Sequence, residues 1–173
     1  NSQYLVSLTL ERDRIPAYDE YPFNLDVLRN FGTLKLHPKV TYFIGENGSG
    51  KSTLLEAIAV ALGFNAEGGT KNFNFETRDE RQDLSRALWV TKSHLQPRDG
   101  YCLRAESFFN VATQIDELDL KGWYGGKSLH EQSHGESFLM LMTTRFQGDG
   151  VYILDEPEAA LSPQRQLAIL SRI

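Results

Sequence analysis

Gly45-Glu46-Asn47-Gly48-Ser49-Gly50-Lys51-Ser52 brings together residue types whose joint chemistry is phosphate binding. The order fits the loop pattern G-x-x-x-x-G-K-[ST]. Glycines lack the Cβ that would keep backbone N–H groups from curling around phosphate oxygens. Lys51 carries a cation toward the β- and γ-phosphates of a nucleotide, and the Ser52 hydroxyl suits Mg²⁺. A second cluster ends the apolar run Val151-Tyr152-Ile153-Leu154, where Asp155 and Glu156 stand side by side. Asp155 suits Mg²⁺, held directly or through water, and Glu156 suits the polarisation of an attacking water. The plainer reading of these two acids is a helix start, since Pro157 follows and acids favour a first turn.

These groups need elements to hold them. Val40 to Ile44 reads as a buried strand entering the loop, and Thr53 to Leu62 as a helix leaving it, ended by Gly63. Strand, glycine loop and helix together place a helix N-terminus, with its positive dipole end, against an anion. Thr53, the next residue, belongs to the same expected binding set. Val151 to Leu154 reads as a strand, and ligands of parallel sheets sit beyond the carboxyl ends of the strands. Upstream, Tyr4 to Leu10 alternates as a strand does, and Thr33 to Leu36 reads as another. Ile15 to Phe23 is irregular and aromatic. Ala87 to Thr91 and Tyr101 to Ala105 read as strands, joined through Gln96 to Gly100. Asp79 to Arg86 is mixed in charge and reads as a solvated helix or turn. Val111 to Leu120 and Ser137 to Phe146 read as helices, the second one buried. Pro163 to Ile173 reads as an amphipathic helix with a Ser162-Pro163 start. Lys71-Asn72-Phe73-Asn74-Phe75 is unusual and receives no role.

The chain has 173 residues, 40% hydrophobic and 24% charged, as expected for one globular domain with a core. No apolar run is long enough to span a bilayer, and no secretory signal is visible. Cys102 is the single cysteine, so no internal disulfide forms, and a cytoplasmic setting is expected. A formal net charge of −5 argues against a dominant nucleic-acid surface, while leaving room for a local basic patch.

Asp155-Glu156-Pro157-Glu158-Ala159-Ala160-Leu161-Ser162 resembles the Walker B and D-loop segment of ABC-type ATPases. Leu129-His130-Glu131-Gln132-Ser133-His134-Gly135-Glu136-Ser137 resembles their signature segment, with Ser133, Gly135 and Glu136 aligned and His134 in place of the first glycine. The order of these motifs after the phosphate loop is also that of ABC-type ATPases. The best likeness is to small stand-alone bacterial predicted ATPases of this class, from the loop onward.

The resemblance implies an α/β fold, a P-loop NTPase core with a mostly parallel sheet flanked by helices and an N-terminal antiparallel β-subdomain. It implies ATP and Mg²⁺ as ligands, with Ser52 and Asp155 toward the metal and Lys51 and Glu156 in catalysis. It further implies a homodimer that packs head to tail around ATP. Ser133, Gly135 and the following helix start would meet the partner's γ-phosphate, with Glu136 in the same segment. Ser133 as a plain N-cap, with Glu136 completing a capping box, fits the same residues. A metal pair of His130 and His134 is the weaker reading, since no Cys or third His lies nearby. An aromatic stacked on adenine would be Tyr21 or Phe23, and a core role suits either equally. Glu106 or Ser107 would stand where the family carries a glutamine. A further strand ending in a switch histidine is expected after Pro163–Ile173, and none of His37, His94, His130 or His134 stands there. Residues 1–173 therefore read as one ABC-type domain lacking that strand. The function implied is ATP hydrolysis driving an unidentified partner. The alternative is a nucleotide-dependent switch module in DNA repair, defence or a toxin-linked system, with little turnover. No long coiled coil fits between Gly63 and Leu154, and a small-molecule kinase would bring lid arginines and an acceptor site.

Overall fold

The computed structural model describes residues 3–64, 79–105, 108, 134–146 and 148–170. Ser133, His130, Glu106, Ser107, the Lys71–Phe75 run and the Val111–Leu120 helix lie outside them. The chain divides into two compact units, residues 1–66 with 74–97, and residues 67–73 with 98–173.

In the first unit, β1 (Leu5–Leu10) is followed by α1 (Asp26–Arg29), β2 (Thr33–Lys35), α2 (Lys51–Ala61), α3 (Asp79–Ala87) and β3 (Leu88–Lys92). The strands form an antiparallel sheet in the order β2-β1-β3. Alternation in β1 sends Leu8 and Leu10 to the core, as a half-buried strand requires. Leu54, Ala57 and Ile58 fall on one face of α2 at helical spacing, and all three are buried. That helix packs on α3 and β3. Its end is a Schellman motif: Phe64 N–H donates to Ala59 O and Gly63 N–H to Val60 O, with Gly63 at φ 83°. The glycine stop read from the sequence therefore has its physical cause in a left-handed cap.

Two expectations change here. Val40 to Ile44 is not a strand among the described residues. Both edges of β1 are already paired, and no ladder includes this run. The chain instead turns through His37, whose Nδ1 accepts from Lys39 and Val40 N–H. Tyr42 is exposed, and Ile44 is 94% exposed. The mixed-charge stretch from Asp79 is a helix, as one of its two readings held, but it is not only solvated. Leu84 and Ala87 lie fully buried on its inner face.

In the second unit, β4 (Asp99–Arg104) and β5 (Gly150–Asp155) pair in parallel, from Asp99 opposite Gly150 to Arg104 opposite Asp155. Parallel neighbours need a long crossover, and α4 (His134–Arg145) lies within it. Tyr101, Cys102, Leu103 and Arg104 are all buried in succession, the signature of a strand covered on both faces. Phe138 of α4 meets Phe108 at a ring separation of 5.5 Å. A 3₁₀ turn at Pro157–Ala160 leads to α5 (Pro163–Leu170), where Gln166 N–H reaches Ser162 O. The architecture is α/β, with, among the described residues, a two-stranded parallel sheet in one unit and a three-stranded antiparallel sheet in the other.

Candidate functional site

The phosphate-loop residues form a tight turn into α2. Ser49 N–H donates to Glu46 O at 3.2 Å, and Gly48 and Gly50 take φ of 79° and 92°. Gly50 is the N-cap of α2 and brings no side chain, so no cap hydrogen bond closes the helix start. A Cβ at Gly50 would stand 3.0 Å from both Leu25 Cδ1 and Val27 Cγ1. The start of α1 therefore holds the loop from outside. Gly50→Ala should cost about 1–2 kcal/mol from the left-handed backbone alone, with the contact to Leu25 and Val27 adding to it. Denaturant midpoints of the two proteins measure this.

Lys51, the first residue of α2, folds its ammonium back over the loop. Its Nζ donates to Gly45 O at 2.8 Å and to Glu46 O at 2.9 Å. The loop thus holds a cation directly beside the glycine backbone. The two aromatic candidates separate cleanly. Phe23 is 3% exposed and belongs to the core, whereas Tyr21 is 50% exposed and its hydroxyl shares a hydrogen bond with Thr53 Oγ1 at 3.0 Å. Only Tyr21 remains at the surface next to the first turn of α2.

In the other unit, β5 ends at Asp155, and Glu156 leaves the strand. Glu156 is exposed and takes a left-handed backbone, φ 49° and ψ 45°, as the N-cap of the 3₁₀ turn. Asp155 is buried. Its Oδ2 lies 3.4 Å from Arg104 Nε, with the two side chains 8% and 4% exposed. Sequence reading had missed Arg104. Its signal is a charge that closes the apolar run Tyr101-Cys102-Leu103 inside a strand. Of the signature residues, Gly135 is buried in the first turn of α4, and Glu136 beside it is exposed. Glu136 Oε1 accepts from Arg165 Nη2 of α5 at 3.1 Å.

Among the described residues, no group of three His, Cys, Asp or Glu could cage a metal alone. The Ser52 hydroxyl and the Asp155 carboxylate are hard oxygen donors. Each, taken by itself, is of the donor type that Mg²⁺ takes, a cation commonly held by one or two protein oxygens together with phosphate.

A family model described as an AAA domain matches residues 23–115, more than half of the chain. The chain belongs to this family, whose members are P-loop ATPase-like proteins, and nucleotide binding is the activity that membership supports. No curated protein and no solved structure matches the chain. No helix among the described residues is long and apolar enough to cross a membrane.

Proposed function

We propose that the chain is an ABC-type ATPase that binds ATP with Mg²⁺, hydrolyses it as a head-to-tail homodimer and drives a partner protein. The observation that carries nucleotide binding is the loop. A glycine-capped helix start stands beside a lysine ammonium held at the Gly45 and Glu46 carbonyls. On this reading Gly45, Glu46, Asn47, Gly48, Ser49, Gly50, Lys51, Ser52 and Thr53 hold the phosphates, backbone amides and the Lys51 cation sharing the charge. Ser52 and Asp155 hold Mg²⁺, which when bound neutralises charge developing on the transferred phosphoryl group. Glu156 orients the attacking water and takes its proton, and its exposure leaves the carboxylate open to solvent for that task. Ser133, Gly135 and Glu136 act on the ATP of the second copy. Support comes from Gly135 and Glu136 occupying the first turn of a twelve-residue helix, the end whose dipole suits an anion. The reading includes a P-loop core with a mostly parallel sheet across residues 1–173.

The shared site has a direct test. Lys51→Ala and a bulky Ser133→Arg should each be inactive alone. Mixing them leaves one intact loop facing one intact signature in each heterodimer, so phosphate release should recover in part. A mixture as inactive as its parents, with a dimer fraction indifferent to ATP, would sink the head-to-tail arrangement.

One observation favours the second reading, a nucleotide-dependent switch with little turnover. The Asp155 carboxylate is already paired with a buried guanidinium. ATP binding by calorimetry without phosphate release over hours would select the switch.

A further inference from the structure

We propose that Arg104 is the resident counter-cation of Asp155 and sets how much Mg²⁺ the nucleotide site requires. The proposal rests on the reading of Asp155 as a metal-binding residue. Three observations carry it. Arg104 and Asp155 are register partners at the final step of the β4–β5 ladder, so both side chains leave the same face of the sheet. Both are buried, and the guanidinium Nε stands 3.4 Å from one carboxylate oxygen, Oδ2. Backbone pairing holds both residues in place independently of their side chains: they are opposed in the ladder, and Ala105 N–H donates to Asp155 O at 3.3 Å.

A carboxylate removed from water needs a compensating charge. Arg104 supplies one whether or not a metal is present, so the strand end folds without Mg²⁺. The same arrangement works against the metal. A divalent cation on this carboxylate would sit a few ångströms from a fixed guanidinium, well inside the screening length of about 8–10 Å in physiological salt. Two effects then oppose each other when Arg104 is neutralised. Losing an anchoring partner loosens the carboxylate, and losing a like charge relieves repulsion on the metal. The backbone ladder already places Asp155, so the second effect dominates. Arg104 thus acts through the charge it sets beside Asp155, and it raises the metal threshold of the site.

The experiment titrates Mg²⁺ against a fluorescent ATP analogue bound to the full chain, for wild type, Arg104→Gln, Arg104→Lys and Asp155→Asn. Melting temperatures with ATP are measured with and without Mg²⁺. Arg104→Gln should lower the Mg²⁺ midpoint by about tenfold, as loss of one nearby charge implies. It should also melt lower without Mg²⁺ and gain more from the metal than wild type does. Arg104→Lys keeps the charge and should stay within about threefold of the wild-type midpoint. Arg104→Met removes the hydrogen-bonding end as well. Should it fail to fold, Arg104→Gln still decides, since its amide can donate to Asp155. A midpoint for Arg104→Gln equal to or above wild type overturns the proposal, as does an equal fall in Arg104→Lys. Asp155→Asn separates the two levels of the argument. A raised midpoint there with an unmoved Arg104→Gln overturns the role of Arg104 alone. A wild type indifferent to Mg²⁺, or an unmoved Asp155→Asn, overturns the metal reading and this proposal together.

Discussion

Lys51→Ala is expected to weaken Mg-ATP binding by about a hundredfold or more while leaving the fold intact. Each charge-assisted hydrogen bond contributes about 1.5–3 kcal/mol, and the ammonium would make more than one to phosphate oxygens. Two such bonds correspond to at least two orders of magnitude in affinity. The fold has little to lose. The bonds from Nζ to Gly45 O and Glu46 O lie at an exposed site, where water takes over both partners and each is worth no more than the low end of that range, about 1.5 kcal/mol. Alanine is also the best helix former at the head of α2. Calorimetry with ATP beside a thermal melt separates the two effects. Affinity within twofold of wild type would remove Lys51 from the site. A large drop in melting temperature would turn the result into one about folding.

Glu156→Gln is expected to slow phosphate release by about 10²–10⁴-fold, the range that positioned general bases contribute, with ATP affinity unchanged. Glutamine matches glutamate in shape and places the same demand on the left-handed backbone at φ 49°, so conformation is held constant while basicity is removed. The side chain is exposed, so no buried charge is left unmatched. Phosphate release under single-turnover conditions gives the rate, and sedimentation in ATP gives the dimer fraction, which should rise as hydrolysis stalls. Turnover at the wild-type rate would assign the water to another group. The Asp155 contact with Arg104 should persist in this variant, because it is made by the preceding residue.

The loop and its helix were legible because their causes are local. Gly50 caps α2, Gly63 ends it through two backbone hydrogen bonds, and Leu54, Ala57 and Ile58 mark its inner face within a few residues. The alternation of β1 was legible for the same reason. Features set by distant partners were not. The apolar composition of Val40 to Ile44 announces a strand, but a strand needs a ladder partner, and none pairs with this run among the described residues. The four-residue α1 is too short to show a period, yet it covers Gly50. Tyr21 and Phe23 look alike in sequence, and only packing sends one to the core. The contact of Arg104 with Asp155 depends on a parallel register between segments far apart in the chain. Of the site residues expected from the signature, Gly135 and Glu136 have described positions, while Ser133 lies outside the described residues.

Position 156 is one where two kinds of selection pull apart. The left-handed backbone there is free of cost to glycine and cheap for asparagine, and glutamate pays about 1–2 kcal/mol to occupy it. A lineage shaped by thermal stability alone would drift toward glycine, and β-branched residues would be purged first. Retaining a carboxylate at that corner therefore consumes part of the chain's tolerance for other destabilising mutations. Descendants that lost the need for it would be recognisable by a glycine or asparagine after the aspartate, in an otherwise unchanged strand.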